Sequence, residues 1–235
     1  MLTLNIKTMN KLFLRYFFEV IVIIFSITAS FYIQELLSEK EKEHLKNEAL
    51  KGVLLELEKD RGFMLGFGEQ YNTWRIKSID SLFDERYTYN DKWMATIWGN
   101  SALFGNNRFF ESLVSTGGIE HIKSIELQSQ LSSYYNNQYS LLIQASELDN
   151  DTYIRFSDNL VNYKLDSIKY YWPGGSSFYF DKTDVEKIRN DVKLKSIAMQ
   201  WKIWLFEFNK RISLTLEKNN LLVELITDEL SNSTN

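Results

Sequence analysis

The 235-residue sequence has no cysteine, two histidines, one proline and ten glycines. The lack of cysteine excludes disulfides, thiolate metal sites, iron–sulfur ligation and cysteine nucleophiles, and two histidines leave little for zinc or imidazole catalysis. We therefore predict a protein that is not an enzyme and has no cofactor, metal site or catalytic residue. The scarcity of proline and glycine predicts long helices.

The chain also lacks an excess of positive charge. It carries 27 Lys and Arg against 31 Asp and Glu, which gives a net charge of −4. A protein that binds nucleic acid usually presents a cationic face to the phosphates. We therefore do not expect a nucleic-acid partner.

One long apolar run lies near the start of the chain, at residues 16–34 (YFFEVIVIIFSITASFYIQ). As a helix, these nineteen residues would span about 28 Å, close to the hydrocarbon thickness of a bilayer. Aromatic residues stand at both ends, as expected at the headgroups. We predict a transmembrane helix here, so that the lipid bilayer is itself a partner.

Two other interpretations of this run fit the sequence less well. A buried core helix would be apolar on one stripe, whereas this segment is apolar on all sides. A cleaved signal peptide is compatible with Lys7, Lys11 and Arg15 followed by the small residues 28–30, but the apolar run continues to Ile33 and passes into a charged helix without a turn residue. We therefore predict an uncleaved single-pass anchor.

The orientation of the anchor rests on the lengths of its flanks. The Lys and Arg counts on the two sides are similar, so they do not decide. A short basic N-terminal tail usually stays in the cytoplasm, and a long C-terminal domain is translocated largely regardless of its charge. We predict a bacterial inner-membrane protein with a cytoplasmic N-terminus and a periplasmic C-terminal domain.

Glu19 is the only charged residue in the apolar run. Arg15 lies four residues earlier, on the same helical face, and can form an intramembrane ion pair with it. The simpler interpretation is that this pair sets the depth of the helix. The functional alternative is a carboxylate that serves a proton path or contacts a partner helix.

The remaining sequence has helical periodicity in three long stretches. A charged stretch after residue 34 continues as a helix to about residue 87, with packing from about Leu50, and a second helix begins after the N-cap Ser124 and extends to about Tyr170. The segment 172–175 (WPGG) is a strong stop, with a short extended stretch predicted at 177–180. A capping box, Thr183 to Glu186, opens a third helix that nearly reaches the C-terminus.

Three long helices with one apolar side each can bury those sides only against one another. The predicted fold is therefore all-α: a transmembrane helix that continues into an elongated antiparallel bundle, similar to a coiled coil, of three long helices plus short ones. The domains are a basic tail (1–15), the transmembrane helix (16–34) and the extramembrane bundle (35–235). His44 with Glu41 and Glu48 could suggest a metal site, but such spacing is common on a solvated charged helix.

Several short motifs resemble a family of single-pass membrane proteins of unknown function common in Bacteroidota. They are FEVI at 18–21, LLEL at 54–57 with Asp60 close behind, FFESL at 109–113, TGGI at 116–119 with Ile122, EL at 126–127 and YY at 134–135. The resemblance covers most of the chain. It implies an uncleaved anchor and a helical domain, and it implies no catalytic residues.

These observations predict a membrane-anchored helical interaction or scaffold protein. Its expected partner is a second copy of itself or another membrane protein. The alternative is an accessory subunit of an ion-driven or transport complex in the membrane, with Glu19 as its working carboxylate.

Overall fold

The computed structural model describes residues 6–99, 103, 105–171 and 175–232. Helices dominate these residues, which confirms the predicted all-α class. The chain divides into two compact units, Met1–Glu48 and Ala49–Asn235.

The first unit contains most of helix α1, which extends over Ile6–Phe63. Side chains between residues 14 and 34 are exposed, except for the half-buried Ala29. By length and composition this helix is apolar enough to cross a membrane. The hydroxyls of Ser26, Thr28 and Ser30 each donate to the carbonyl four residues earlier, so these polar groups are satisfied within the helix.

The second unit begins with the end of α1 and contains three long helical stretches. In the first, a π-helical turn (Met64–Glu69) connects α1 to α2 (Gln70–Leu82). In the second, α5 (Ile125–Ser133) passes through another π-helical turn (Tyr134–Tyr139) into α6 (Ser140–Leu160). The third is α8 (Val192–Asn232). The shorter elements are α3 (Asp91–Ile97), α4 (Arg108–Ser115), a 3₁₀ turn (Gly118–His121), β1 (Leu165–Tyr171), β2 (Gly175–Phe180) and α7 (Lys182–Asn190).

The third helix, α8, runs antiparallel to the first stretch. The side-chain amide of Asn219 donates to the Leu57 carbonyl at 3.0 Å, and Asn72 donates to Asn209 at 2.9 Å. Later residues of the first stretch therefore contact earlier residues of α8. The antiparallel packing predicted from the sequence holds for this pair.

The same relation holds between α8 and the second stretch. Asn219 contacts the hydroxyl of Tyr134 at 3.4 Å, whereas the earlier residue Trp201 donates to Asp149 at 2.6 Å. Because the first and second stretches are both antiparallel to α8, they run parallel to each other.

Parallel neighbours require a connection that returns along the length of the bundle. The described residues between 83 and 124 provide it. The backbone amide of Leu103 donates to Ser146 at 2.9 Å, and that of Asn106 donates to the hydroxyl of Tyr139 at 3.0 Å, so this segment runs opposite to the second stretch.

The second helix is shorter than predicted. The sequence predicts that it reaches about Tyr170, but α6 ends at Leu160, and Leu165–Tyr171 pairs with Gly175–Phe180 as an antiparallel hairpin. The strand at 175–180 confirms the extended stretch expected near its end, while the stop residues 172–174 lie outside the described part of the chain. Trp98 stacks on Phe178 with ring centroids 4.7 Å apart, which attaches the hairpin to the bundle.

The third helix is divided into two. The capping box predicted at Thr183 is replaced by Asp181, whose side chain accepts the Thr183 amide at 2.8 Å and begins α7. The chain is extended at Asp191, whose carboxylate then accepts the Leu194 amide at 2.9 Å and caps α8. Two Asp caps close together therefore interrupt the predicted continuous helix.

Gly52 allows α1 to approach the ring of Phe109. A Cβ at position 52 would overlap that ring. We expect Gly52→Ala to destabilise the bundle by about 1–2 kcal/mol although alanine favours helices, because the ring must move. Urea unfolding of Gly52→Ala and of Gly52→Ala with Phe109→Ala measures this. The prediction is wrong if the alanine costs as much in the absence of the ring as in its presence.

Candidate functional site

The structure brings Arg15 and Glu19 together on the first unit. Arg15 Nε donates to Glu19 Oε1 at 3.2 Å, and both side chains are well exposed on the isolated helix. This contact is the one expected for residues four positions apart on a helix.

A second polar site, which was not predicted from the sequence, lies inside the bundle. We call it the acid–tyrosine cluster: Glu56 and Asp60 of α1, with Tyr134, Tyr135 and Tyr139 of the second stretch. Only 2% of Glu56 and 5% of Asp60 is exposed. The three tyrosines are also buried, and their ring centroids lie 5.0–5.7 Å apart.

A π-helical turn makes this convergence of tyrosines possible. In an α-helix, residues five apart point in clearly different directions. In the π-helical turn Tyr134–Tyr139 the hydrogen bonds join residues five apart, which places Tyr139 nearly above Tyr134. The two rings stack 5.6 Å apart as a result.

The two carboxyl groups of the cluster have unequal surroundings. Glu56 Oε1 accepts the backbone amide of Phe109 at 3.2 Å, and Lys59 and Arg108 lie close enough to favour its charge. Asp60 accepts the hydroxyl of Tyr139. Burial raises the pKa of both groups, that of Asp60 to about 7, to which the neighbouring Glu56 also contributes.

Three oxygens of the cluster have no hydrogen-bond partner among the described residues: Glu56 Oε2, Asp60 Oδ2 and Tyr135 Oη. Burial also raises the pKa of all three tyrosines, so their hydroxyls stay protonated. The cluster is therefore a buried group that can gain or lose a proton near neutral pH.

Three of the short motifs quoted from the sequence meet at this cluster. The motif 54–57 and Asp60 come from α1, the motif 109–113 from α4, and Tyr134 and Tyr135 from the second π-helical turn. Phe110 stacks on Tyr135 with centroids 4.3 Å apart. Motifs distant in the sequence therefore form one contiguous part of the core.

A buried ion pair joins the three helical stretches farther along the bundle. Arg75 binds both oxygens of Asp149 at 2.9 and 2.7 Å, and Trp201 donates to Asp149 at 2.6 Å. Arg75 also donates to Asn72 at 2.5 Å and lies 5.4 Å from the ring of Trp201. Since Arg75 and Asp149 are fully buried, this network is part of the core.

The surface of the bundle has an apolar groove between α6 and α8. It has a volume of about 560 Å³ and exposes Leu148, Ile203 and Phe206. Lys210 and Glu207 also line it. Exposed apolar surface of this kind is often used in contacts with other proteins.

Comparisons of the chain with protein-family models, with curated proteins and with solved structures find no match. Within the described residues, no group of three or more His, Asp or Glu side chains is arranged to hold a metal ion. The fold and the local chemistry are therefore the basis for any functional proposal.

Proposed function

We propose that this protein is a single-pass, membrane-anchored interaction or scaffold protein, which holds a helical bundle at the membrane and acts by contact with other proteins. The exposed apolar length of α1 between residues 16 and 34 carries the proposal. These side chains are not buried against the described part of the protein, and a bilayer would bury them.

The hydroxyl contacts in this segment support the same proposal. Ser26, Thr28 and Ser30 use carbonyls of their own helix, which removes most of the cost of placing them in lipid. The membrane is a bacterial inner membrane in this proposal, with the N-terminus in the cytoplasm and the bundle in the periplasm. This orientation places the basic residues Lys7, Lys11 and Arg15 on the cytoplasmic side.

Membrane fractionation tests the anchor. The full chain should remain with the membrane after alkaline extraction and should keep its uncleaved mass by mass spectrometry. A chain found in the soluble fraction, or one beginning after Ser30, would contradict the proposal. Alkaline phosphatase fused after the last residue should be active if the bundle is periplasmic, and green fluorescent protein at the same place should not fluoresce after Sec export.

The bundle is proposed to act with a second copy of the chain or with another membrane protein. The exposed apolar side chains on α6 and α8 support a role in contact. Light scattering of the detergent-solubilised protein during size-exclusion chromatography tests self-association. A monomer at every concentration would exclude self-association and leave another membrane protein as the partner.

The contact between Arg15 and Glu19 supports the interpretation that this pair sets the depth of the helix. We expect Glu19→Gln to insert in the membrane normally and to keep the oligomeric state of the unmodified protein, because glutamine removes the charge with little change in shape. Fractionation and light scattering measure both. Normal insertion with loss of activity of a host complex would instead favour the accessory-subunit alternative.

A further inference from the structure

The acid–tyrosine cluster contains two carboxyl groups on one helical face. Glu56 and Asp60 lie one turn apart on α1, and both are at least nine-tenths buried. Two ionised carboxylates at this spacing repel each other, and burial removes the water that would weaken the repulsion. Protonation of one carboxylate removes both the repulsion and the cost of burying a second charge.

The surroundings show which carboxyl accepts the proton. Glu56 has a backbone amide donor, and the charges of Lys59 on its own helix and of Arg108 at the start of α4 act on it. Asp60 has the hydroxyl of Tyr139 as its donor, and the charge that acts on it is that of Glu56. Glu56 is therefore the better place for a charge, and Asp60 is the better place for a proton.

The other elements packed around the pair supply uncharged groups. The second π-helical turn contributes the three tyrosine hydroxyls, and α8 contributes the amide of Asn219, which contacts Tyr134. Only 6% of Tyr135 is exposed, and its hydroxyl has no partner in the described structure although it lies within electrostatic range of both carboxyls. A proton on Asp60 gives that carboxyl group an O–H donor in addition to its acceptor oxygen.

Helical hydrogen bonding changes on both sides of the cluster. The tyrosines lie on one π-helical turn, and the other, Met64–Glu69, begins four residues after Asp60. Such turns are often found at functional sites because their hydrogen bonding differs from that of the surrounding α-helix. A change of charge at Asp60 therefore acts on helix segments that are π-helical and for which α-helical hydrogen bonding is the alternative.

We propose that Asp60, paired with Glu56, is a proton-binding site, and that release of this proton loosens the packing of the tyrosine-bearing π-helical turn against α1. The bundle is then tight in its protonated form and looser at this end in its deprotonated form. This gives the domain a response to pH that is independent of how the chain is anchored.

The sign of the effect follows from linkage. The pKa of Asp60 is raised from 3.8 when unfolded to about 7 when folded. The stabilisation of the folded state by this group is complete below the pKa of the unfolded state, and it is lost as the pH rises through about 7. Between about pH 4 and 7, the equilibrium constant for folding falls by about tenfold per pH unit through this group.

Hydrogen–deuterium exchange with mass spectrometry tests the proposal on the full chain in detergent. After correction for the intrinsic effect of pH, protection of residues 131–142 should decrease from pH 5 to pH 8. Asp60→Asn should remove this dependence, because the amide cannot ionise and keeps an N–H donor. Asp158→Asn, a matched change at an exposed aspartate, should keep it.

Three results would overturn the proposal. The first is equal pH dependence in the unmodified chain and in Asp60→Asn. The second is a return of protection at pH 8 on addition of Ca²⁺, Mg²⁺ or Na⁺, which would define a cation site instead. The third comes from Glu56→Gln, which can also be used if Asp60→Asn does not fold. Removal of the like charge should move the midpoint of the pH-dependent loss of protection to lower pH. An unchanged midpoint contradicts the pairing of Glu56 with Asp60.

Discussion

Replacing Asp149 with alanine is expected to lower the free energy of unfolding of the bundle by about 3–5 kcal/mol. The fully buried guanidinium of Arg75 would lose both oxygens that it now binds at 2.9 and 2.7 Å. The indole N–H of Trp201 would lose its acceptor at the same time. An unpaired charge in the core is among the most destabilising changes that one substitution can produce.

The measurement is urea unfolding of the full chain in detergent, followed by helical circular dichroism. The matched control is Asp80→Ala, which breaks an equally short pair with Lys202 at 2.6 Å. Because that aspartate is half exposed, its loss should cost less than about 1 kcal/mol. Equal effects of the two substitutions would contradict a structural role for the buried pair.

A double substitution separates the cost of an unpaired charge from the value of the pair. Arg75→Met with Asp149→Leu removes both charges and fills much of the same volume, and it should recover most of the stability. If the double variant is as unstable as Asp149→Ala, the network stabilises the bundle through its hydrogen bonds to Asn72 and Trp201 rather than by pairing two charges.

The position of this network also explains how the core is divided. One hydrophobic cluster contains Leu50, Leu142 and Phe208, and the other contains Ile79, Phe156 and Leu205. Along each long stretch, the polar network lies near the boundary between the two clusters. A buried polar layer of this kind favours a single alignment of the helices, because any shift leaves polar groups unpaired.

The helical class, the start of packing near Leu50 and the N-cap at Ser124 can all be predicted from the sequence, and the structure confirms each of them. These features depend on neighbours within a few residues. The apolar period and the capping side chain are both local, so they are visible in the sequence.

The core of α8 shows why other parts of the fold cannot be predicted from the sequence. Its buried positions recur at spacings of mostly four and three residues. Some of these positions hold polar residues, which a search for apolar periodicity does not select. The apolar residues Leu216, Val223 and Leu230 are only partly buried, whereas the polar residues Thr215, Asn219 and Glu229 are buried. A polar residue can occupy such a position only with a partner, and a partner from another helix is far away in sequence.

The first stretch shows the same effect. The apolar side chain of Trp74 is 51% exposed, whereas the neighbouring charged Arg75 is fully buried. Likewise, Val192 is 82% exposed because it is the first residue of α8, beside the break at Asp191. Amino-acid type alone assigns the opposite burial to each of these residues.

The hairpin is not predicted from the sequence for a related reason. Its apolar residues and those just before it, among them Tyr163, Leu165 and Ile168, continue the helical spacing of α6 by chance. The strand is stabilised by pairing with Gly175–Phe180 and by the stacking of Phe178 on Trp98. Neither contact can be read from a local period, so a short apolar run is ambiguous between helix and strand.

Glu229→Ala is expected to cost about 2–4 kcal/mol of unfolding free energy, although an apolar residue is the obvious choice for its buried position. The carboxylate accepts the backbone amides of Lys123 at 2.9 Å and Ser124 at 3.3 Å. Hydrogen bonds to a charged group contribute about 1.5–3 kcal/mol each, and the positive end of α5 adds a favourable interaction.

Three variants resolve this effect in the same urea experiment. Glu229→Gln should cost about half as much as the alanine, because its one carbonyl oxygen can accept one of the two amides. Glu217→Ala, at an exposed position on the same helix away from these amides, should change stability by less than about 0.5 kcal/mol. If Glu229→Leu is as stable as the unmodified chain, apolar burial alone holds this end of α8. If it is as unstable as the alanine, the carboxylate is what joins the end of α8 to the start of the second stretch.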